Sequence, residues 1–221
     1  MSIDCKPMLG DERGGVLLEV TVSIMVLLLV LFGVIDFSRL FYQWNAASKA
    51  TELGARLAVV SNPVSSDIDT LAQTMLTATI LPGDLMPYFK RECRASTANG
   101  SSGSCIKEGG AAVSGAYRAA SLQTIFFGRG NNGTCNISGA NAGMCKLYPG
   151  LTADKVIIIY EQTGLGYAGR PDGRPVPTVT VKLTGLQFQY SFLGDLLGFS
   201  AITMGEFATT VTGEDLNPVG S

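Results

Sequence analysis

Histidine is absent from this chain of 221 residues. Without it the usual general base, the commonest metal ligand and the Ser-His and Cys-His pairs are missing, so we expect neither an enzyme nor a metal site. The sixteen lysine and arginine residues are scattered and the net charge is -2, which gives no basic surface for nucleic acid. Residues 128–133 read GRGNNG but lack the preceding strand and following helix of a dinucleotide site, so no cofactor is expected.

Proline is absent between Pro7 and Pro63, so nothing in that stretch interrupts a helix. From Gly15 to Ile35 the residues are apolar except for Glu19 and two small polar ones, and this is about the 20 residues that a helix needs to cross ~30 Å of hydrocarbon. The helical pattern continues beyond this run. We therefore predict one stem helix from Gly15 to about residue 61, which would extend about 70 Å and leave its second half in water.

Small residues recur at every fourth position in the second half of the stem, at Ala46, Ala50, Gly54 and Ala58. Such a stripe lets another helix or a sheet approach closely. The sequence leaves two partners open for it: the protein's own domain or a neighbouring subunit.

Cysteine is sparse, and the apolar run separates one cysteine from the other four. Cys5 precedes the run, whereas Cys93, Cys105, Cys135 and Cys145 follow it in segments rich in glycine and serine. Four such cysteines fit an oxidising compartment, and we favour the pairs 93–105 and 135–145 because each closes a short local loop. The alternative is a zinc site, which the absence of any Cys-x-x-Cys pair disfavours.

The chain beyond the stem predicts a small α+β domain. A helix is expected over residues 67–78, loops over 94–110 and 128–143, and a short helix over 111–127, whose apolar ending at 125–127 also fits a strand.

Three later segments are rich in β-branched residues and predict an antiparallel sheet: Val156–Gln162, Thr178–Leu183 and Glu206–Thr212. Residues 188–199 should hold a strand end and a short leucine-rich helical turn. This turn either closes the core or dips toward a membrane.

Glu19 is the only ionisable residue between Gly15 and Ile35. A carboxylate costs up to ~2.5–3.5 kcal/mol at the centre of a membrane helix and less near its edge. It either reaches the headgroups, or it pairs with a freed amine on an adjacent stem. The second alternative requires cleavage after Gly14, which makes Glu19 the fifth mature residue; cleavage after Gly15 would make it the fourth.

Several parts of the stem together resemble the N-terminal signature of the TadE-like family of bacterial tight-adherence pilus assembly proteins. They are Arg13–Gly15, Glu19, Phe32–Tyr42, Ala46–Ala47 and Gly54–Arg56. The terminal strands with the leucine-rich turn between them are also similar to the end of that family's chains.

The resemblance implies a minor pilin, or pseudopilin, of the tight-adherence (type IVc) pilus system, with no enzymatic activity. Its implied partners are the bacterial inner membrane, other pilin-like subunits, the pilus assembly or related secretion machinery, and a prepilin peptidase that cuts after Gly14. The expected organisation is a cytoplasmic leader at 1–14, a transmembrane and periplasmic stem at 15–61, and a periplasmic domain at 62–221.

Two other function classes remain as alternatives. One is a membrane-tethered periplasmic module that binds a small ligand or sugar with the glycine-rich loops at 94–110 and 128–145. The other is a tethered hydrolase that uses Asp67 and Asp69, although acids are also common at a helix start for electrostatic reasons.

Overall fold

The computed structural model describes residues 12–113, 115–130, 133–135 and 139–213. The first eleven residues of the predicted leader, including Cys5, lie outside this range. The described residues form two compact units. The stem unit holds the chain through Phe41 together with Phe188–Ile202, and the sheet unit holds Tyr42–Gln187 together with the chain from Thr203 onward.

A single long helix, α1, runs from Glu12 to Val59, which confirms the predicted long N-terminal apolar helix. Its residues belong to the stem unit as far as Phe41 and to the sheet unit from Tyr42. The stem unit also contains the short helix α5 at Leu193–Leu197.

The sheet unit is built on a six-stranded sheet in which every neighbouring pair is antiparallel. The strands, in chain order, are β1 Lys90–Ala95, β2 Gly103–Lys107, β3 Ala112–Val113, β4 Val156–Glu161, β5 Thr178–Leu183 and β8 Phe207–Thr212. Their order across the sheet is β3-β2-β1-β4-β5-β8. Two further short strands, β6 Gln187–Phe188 and β7 Ile202–Thr203, pair with each other. The predicted α+β fold with an antiparallel sheet is confirmed.

The pattern of burial explains why the central strands are so apolar. β4 is buried on both faces through its first five residues, and this fits its uninterrupted apolar sequence. β5 alternates between half-buried and buried residues, as expected of a strand with one face on the core. The three β-branched segments predicted as strands are β4, β5 and β8.

The sheet unit also contains three short helices: α2 Leu71–Thr74, α3 Ala119–Phe127 and α4 Met144–Leu147. The helix predicted over 67–78 is wrong in extent, because a 3-10 helix at Ser66–Thr70 leads into α2, which ends at Thr74. Both backbone groups of Ala72 are bonded to a distant loop, its N–H to Gly173 O and its C=O to Gly169 N–H. These long-range hydrogen bonds compete with continuation of the helix.

The prediction of a loop over 94–110 is correct only for residues 96–102, because β1 extends to Ala95 and β2 begins at Gly103. β1 and β2 form a hairpin there, with Cys93 directly opposite Cys105 in the register. The polar, glycine-rich composition gives little local strand signal, and β1 is held instead by its pairing with the apolar β4. The helix predicted over 111–127 is likewise shorter, since β3 occupies its start and α3 only its second half.

Candidate functional site

The apolar half of α1, residues 15–35, presents an exposed hydrophobic surface. Most of its large apolar side chains from Val16 to Ile35 are between 42% and 68% exposed, and none of its most apolar 18-residue window is buried. By length and composition the helix can cross a membrane. A surface of this kind is stable only against lipid or against other apolar helices. It is therefore the part of the chain where association is expected.

Glu19 lies on this surface and is exposed. Gly14 and Gly15, the residues that flank the predicted cleavage, lie in the first turn of α1. A side chain at position 15 would meet no atom within 4 Å. Position 15 is thus uncrowded by the described residues, and the carboxylate of Glu19 is accessible to a neighbouring molecule.

The small-residue stripe lies in the sheet unit and is turned toward that unit's own interior. Ala50, Gly54 and Ala58 are buried, and Ala46 is half-buried. At Gly54 an added Cβ would lie only 2.5 Å from Sδ of Met144, which is itself fully buried at the start of α4. Glycine therefore permits close packing of α1 on α4, and this packing is within the chain.

Asp36 ends the apolar half of α1, and its role escaped the sequence analysis. Its side chain is 1% exposed. Oδ1 accepts a hydrogen bond from Ser191 N–H at 3.0 Å, and Oδ2 accepts two, from Phe192 N–H at 3.1 Å and from Leu193 N–H at 2.9 Å. One carboxylate thus binds three successive backbone donors at the start of α5, as N-cap side chains do within a helix.

Aromatic packing joins the same two parts of the stem unit. The rings of Phe32 and Phe192 stack with centroids 4.9 Å apart and planes 10° apart. Tyr190 in turn contacts both Phe188 and Phe199. The only hint in the sequence was an acid immediately after the apolar run, and its partners lie 155 to 157 positions further along the chain.

Both disulfide bonds favoured from the sequence are present, Cys93–Cys105 and Cys135–Cys145. The first joins β1 to β2 and the second fixes α4 to the glycine-rich segment before it. The cysteine sulfurs are therefore bonded to each other rather than available as zinc ligands. The first of the two loops expected to bind a ligand, residues 94–110, thus lies largely in a disulfide-linked hairpin.

Asp67 and Asp69 are held in ion pairs with buried or half-buried arginines. Asp67 Oδ2 lies 2.6 Å from Arg91 Nε, and Asp69 Oδ1 lies 2.6 Å from Arg174 Nη2, while Asp69 also pairs with Arg118. Asp69 lines an open cleft of about 450 Å³ together with both of its arginine partners. These contacts link the 3-10 helix to β1, to the residue that precedes α3 and to the loop before β5, so they explain the two acids without catalysis.

Comparison with known proteins gives a match in the stem helix and none in the strands of the sheet unit. A search of curated proteins and a search of solved structures each found no match. A family model described as TadE-like protein matches residues 14–56. The match covers most of α1 and none of the strands, and it includes the flanking glycine Gly14 and the acid Glu19. TadE-like proteins are structural proteins associated with pili and are not known as enzymes. Through residues 14–56 the chain is thus TadE-like, which supports a pilin-like protein associated with a tight-adherence pilus.

Proposed function

We propose that this protein is a minor pilin, or pseudopilin, of a tight-adherence type IVc pilus assembly system. The observation that carries the proposal is the exposed apolar surface of residues 15–35 within the segment that matches TadE-like proteins. In this proposal α1 anchors the protein once in the bacterial inner membrane. The same surface then packs against other pilin-like stems during assembly.

The proposed orientation places the N-terminus in the cytoplasm and the sheet unit in the periplasm. Two disulfide bonds in the sheet unit support this, because such bonds form and persist in oxidising compartments. Charge adds little to this argument, because Lys6 and Arg13 precede the apolar run while Arg39 and Lys49 follow it within 20 residues.

We assign to Glu19 the pairing of charges between neighbouring stems. Removal of the leader by a prepilin peptidase after Gly14 would give a new ammonium group on Gly15. The exposed carboxylate of Glu19 on one stem could then pair with this ammonium on the next. Pairing removes the cost of leaving two isolated charges in lipid, and it fixes the axial position of one stem relative to its neighbour.

Two measurements in the native host test this proposal. The intact mass of the membrane-extracted protein should correspond to a chain that begins at Gly15. A full-length chain would instead favour a plain membrane-tethered binding module. Replacement of Glu19 by alanine should abolish assembly with other pilin-like subunits and leave the leader correctly removed and both disulfides formed.

Ser23→Ala is the matched control, since Ser23 is an exposed polar residue four positions, or about one helical turn, beyond Glu19. Assembly should survive this change, because no charge is lost. Equal assembly by the Glu19 and Ser23 variants would contradict the role of the carboxylate. Loss of assembly in both would show that the helix surface, rather than the acid, is what matters.

A further inference from the structure

The segment 188–202 has an unusual composition for a surface connection. It contains four aromatic residues, at positions 188, 190, 192 and 199, and its only charged residue is Asp195. No lysine or arginine occurs in it. A water-exposed linker between two strands normally carries more charged residues than this. The composition therefore indicates that the segment lies in an apolar environment.

The same segment is packed on the apolar half of α1. The Phe192 ring stacks on Phe32, and the three backbone N–H groups at 191–193 bind the carboxylate of Asp36. Both contacts lie within the stem unit. They fix the segment at the point where the apolar run of α1 ends.

This attachment sets the depth of the segment. Phe32 precedes Ile35, the last residue of the apolar run, by three positions, which is about 5 Å along a helix axis. If α1 spans a bilayer, the Phe192 ring therefore lies just inside the level where hydrocarbon gives way to headgroups. Helices that lie at this level carry Trp, Phe and Leu on an apolar face that is buried about 5–10 Å deep.

At this depth Asp36 provides hydrogen-bond acceptors for the backbone at the start of α5. Backbone N–H groups at the start of a helix have no partner inside the helix, and water is scarce near the acyl chains. The carboxylate satisfies the three donors at 191–193 from within the protein. α5 can therefore begin at a depth where unpaired N–H groups would otherwise cost free energy.

Four large apolar side chains of the segment are exposed. Phe192 is 41% exposed, Leu197 53%, Phe199 53% and Ile202 43%. They continue the hydrophobic surface of residues 15–35, which by length and composition can itself lie in lipid. Continuity with that surface identifies lipid, rather than water, as what covers them.

We propose that residues 192–202 form a second membrane contact, in which Phe192, Leu197, Phe199 and Ile202 insert into lipid at the boundary where α1 leaves the hydrocarbon. The proposal requires that α1 spans the bilayer, and it does not depend on a role in a pilus. Its consequence is that the protein is attached to the membrane at two places in the sequence, which restricts rotation of the stem about its own axis.

Lipid quenching of a single tryptophan tests this contact in the full-length protein. Trp44 is the chain's one tryptophan and is replaced by phenylalanine, which preserves ring packing against Phe207. Phe199→Trp then places the probe in the segment, and Leu197→Trp repeats the measurement at the end of α5. The control is Leu85→Trp in the same background, because Leu85 is an 80% exposed apolar residue of the sheet unit.

Each protein is reconstituted into phosphatidylcholine vesicles with and without bromine atoms on the acyl chains. We expect the probes at 197 and 199 to emit at shorter wavelength than the probe at 85 and to lose most of their fluorescence in brominated vesicles. The probe at 85 should keep its fluorescence. Emission and quenching at 197 and 199 that equal those at 85 would overturn the proposal.

A second copy of the chain is the competing occupant of this surface. In that case the probes at 197 and 199 would emit at short wavelength but resist brominated lipid, and their emission would change when the protein is diluted with excess lipid. That outcome would also overturn the proposal. It would leave the assembly role of Glu19 untouched, since that role is read out by assembly in the host.

Discussion

Tyr160 offers the sharpest test of how the sheet unit is held together. It lies in β4 with its side chain fully buried, and its hydroxyl oxygen accepts a hydrogen bond from Val64 N–H at 3.0 Å. Val64 is also fully buried. Tyr160→Phe removes only the oxygen and leaves this N–H without its acceptor in a site closed to water. An unsatisfied buried donor costs about 1–3 kcal/mol, so we expect the free energy of unfolding to fall by that amount.

The matched control is Tyr88→Phe. Tyr88 is half exposed, and its hydroxyl donates a hydrogen bond to Glu161 Oε1 at 2.7 Å. The chemical change is the same, but water can replace the lost partner, so we expect an effect within about 0.5 kcal/mol. The comparison therefore isolates burial from the loss of a phenolic hydroxyl.

Urea denaturation of the full-length protein in detergent micelles measures both variants. The fluorescence of Trp44 reports on the sheet unit, because its ring packs edge-on against Phe207 of β8 with centroids 4.7 Å apart. Equal free energies of unfolding for the two variants would refute the reasoning. So would a fall for Tyr88→Phe that exceeds the fall for Tyr160→Phe.

Three further predictions concern alkaline pH, the Asp36 contact and the packing of α1. Burial raises the pKa of Tyr160 above its usual value near 10. The neutral phenol therefore stabilises the fold fully below about pH 10, and this stabilisation is lost as pH rises toward the folded-state pKa. Tyr160→Phe should flatten this alkaline decline in the free energy of unfolding. Asp36→Ala should speed hydrogen exchange at the amides of residues 191–193, whereas unchanged protection would contradict the three hydrogen bonds. Gly54→Ala should lower the free energy of unfolding of the sheet unit by about 1–3 kcal/mol, because the added methyl group overpacks against Met144. The higher helix propensity of alanine offsets up to about 1 kcal/mol of this loss. The loss should vanish in a Met144→Ala background, and an equal loss in both backgrounds would exclude the clash.

The stem was predictable because its signals are local. An apolar run of membrane-spanning length, no proline from position 8 to 62 and a glycine pair before Glu19 all lie within a few turns of one another. The long helix and the TadE-like resemblance are both confirmed. The same holds for β4 and β5, whose β-branched sequences form strands at or close to the predicted bounds.

The hairpin of β1 and β2 could not be predicted in this way. Its residues are mostly polar, and the neighbour that makes β1 a strand is β4, more than 60 positions further along the chain. The sequence did favour the Cys93–Cys105 pair on loop length alone. The structure places those two residues opposite each other as cross-strand neighbours, which is a different reason for the same bond.

The amino-acid sequence by itself determined the long helix, the family resemblance of its N-terminal part and the strands whose side chains suit a pleated, buried surface. These follow from composition and periodicity over short distances. Only the tertiary structure decided what Asp36 does and where the 188–202 segment lies. A carboxylate binds whichever donors the fold brings within about 3 Å of it. No pattern around position 36 can reveal that these donors come from the other end of the chain.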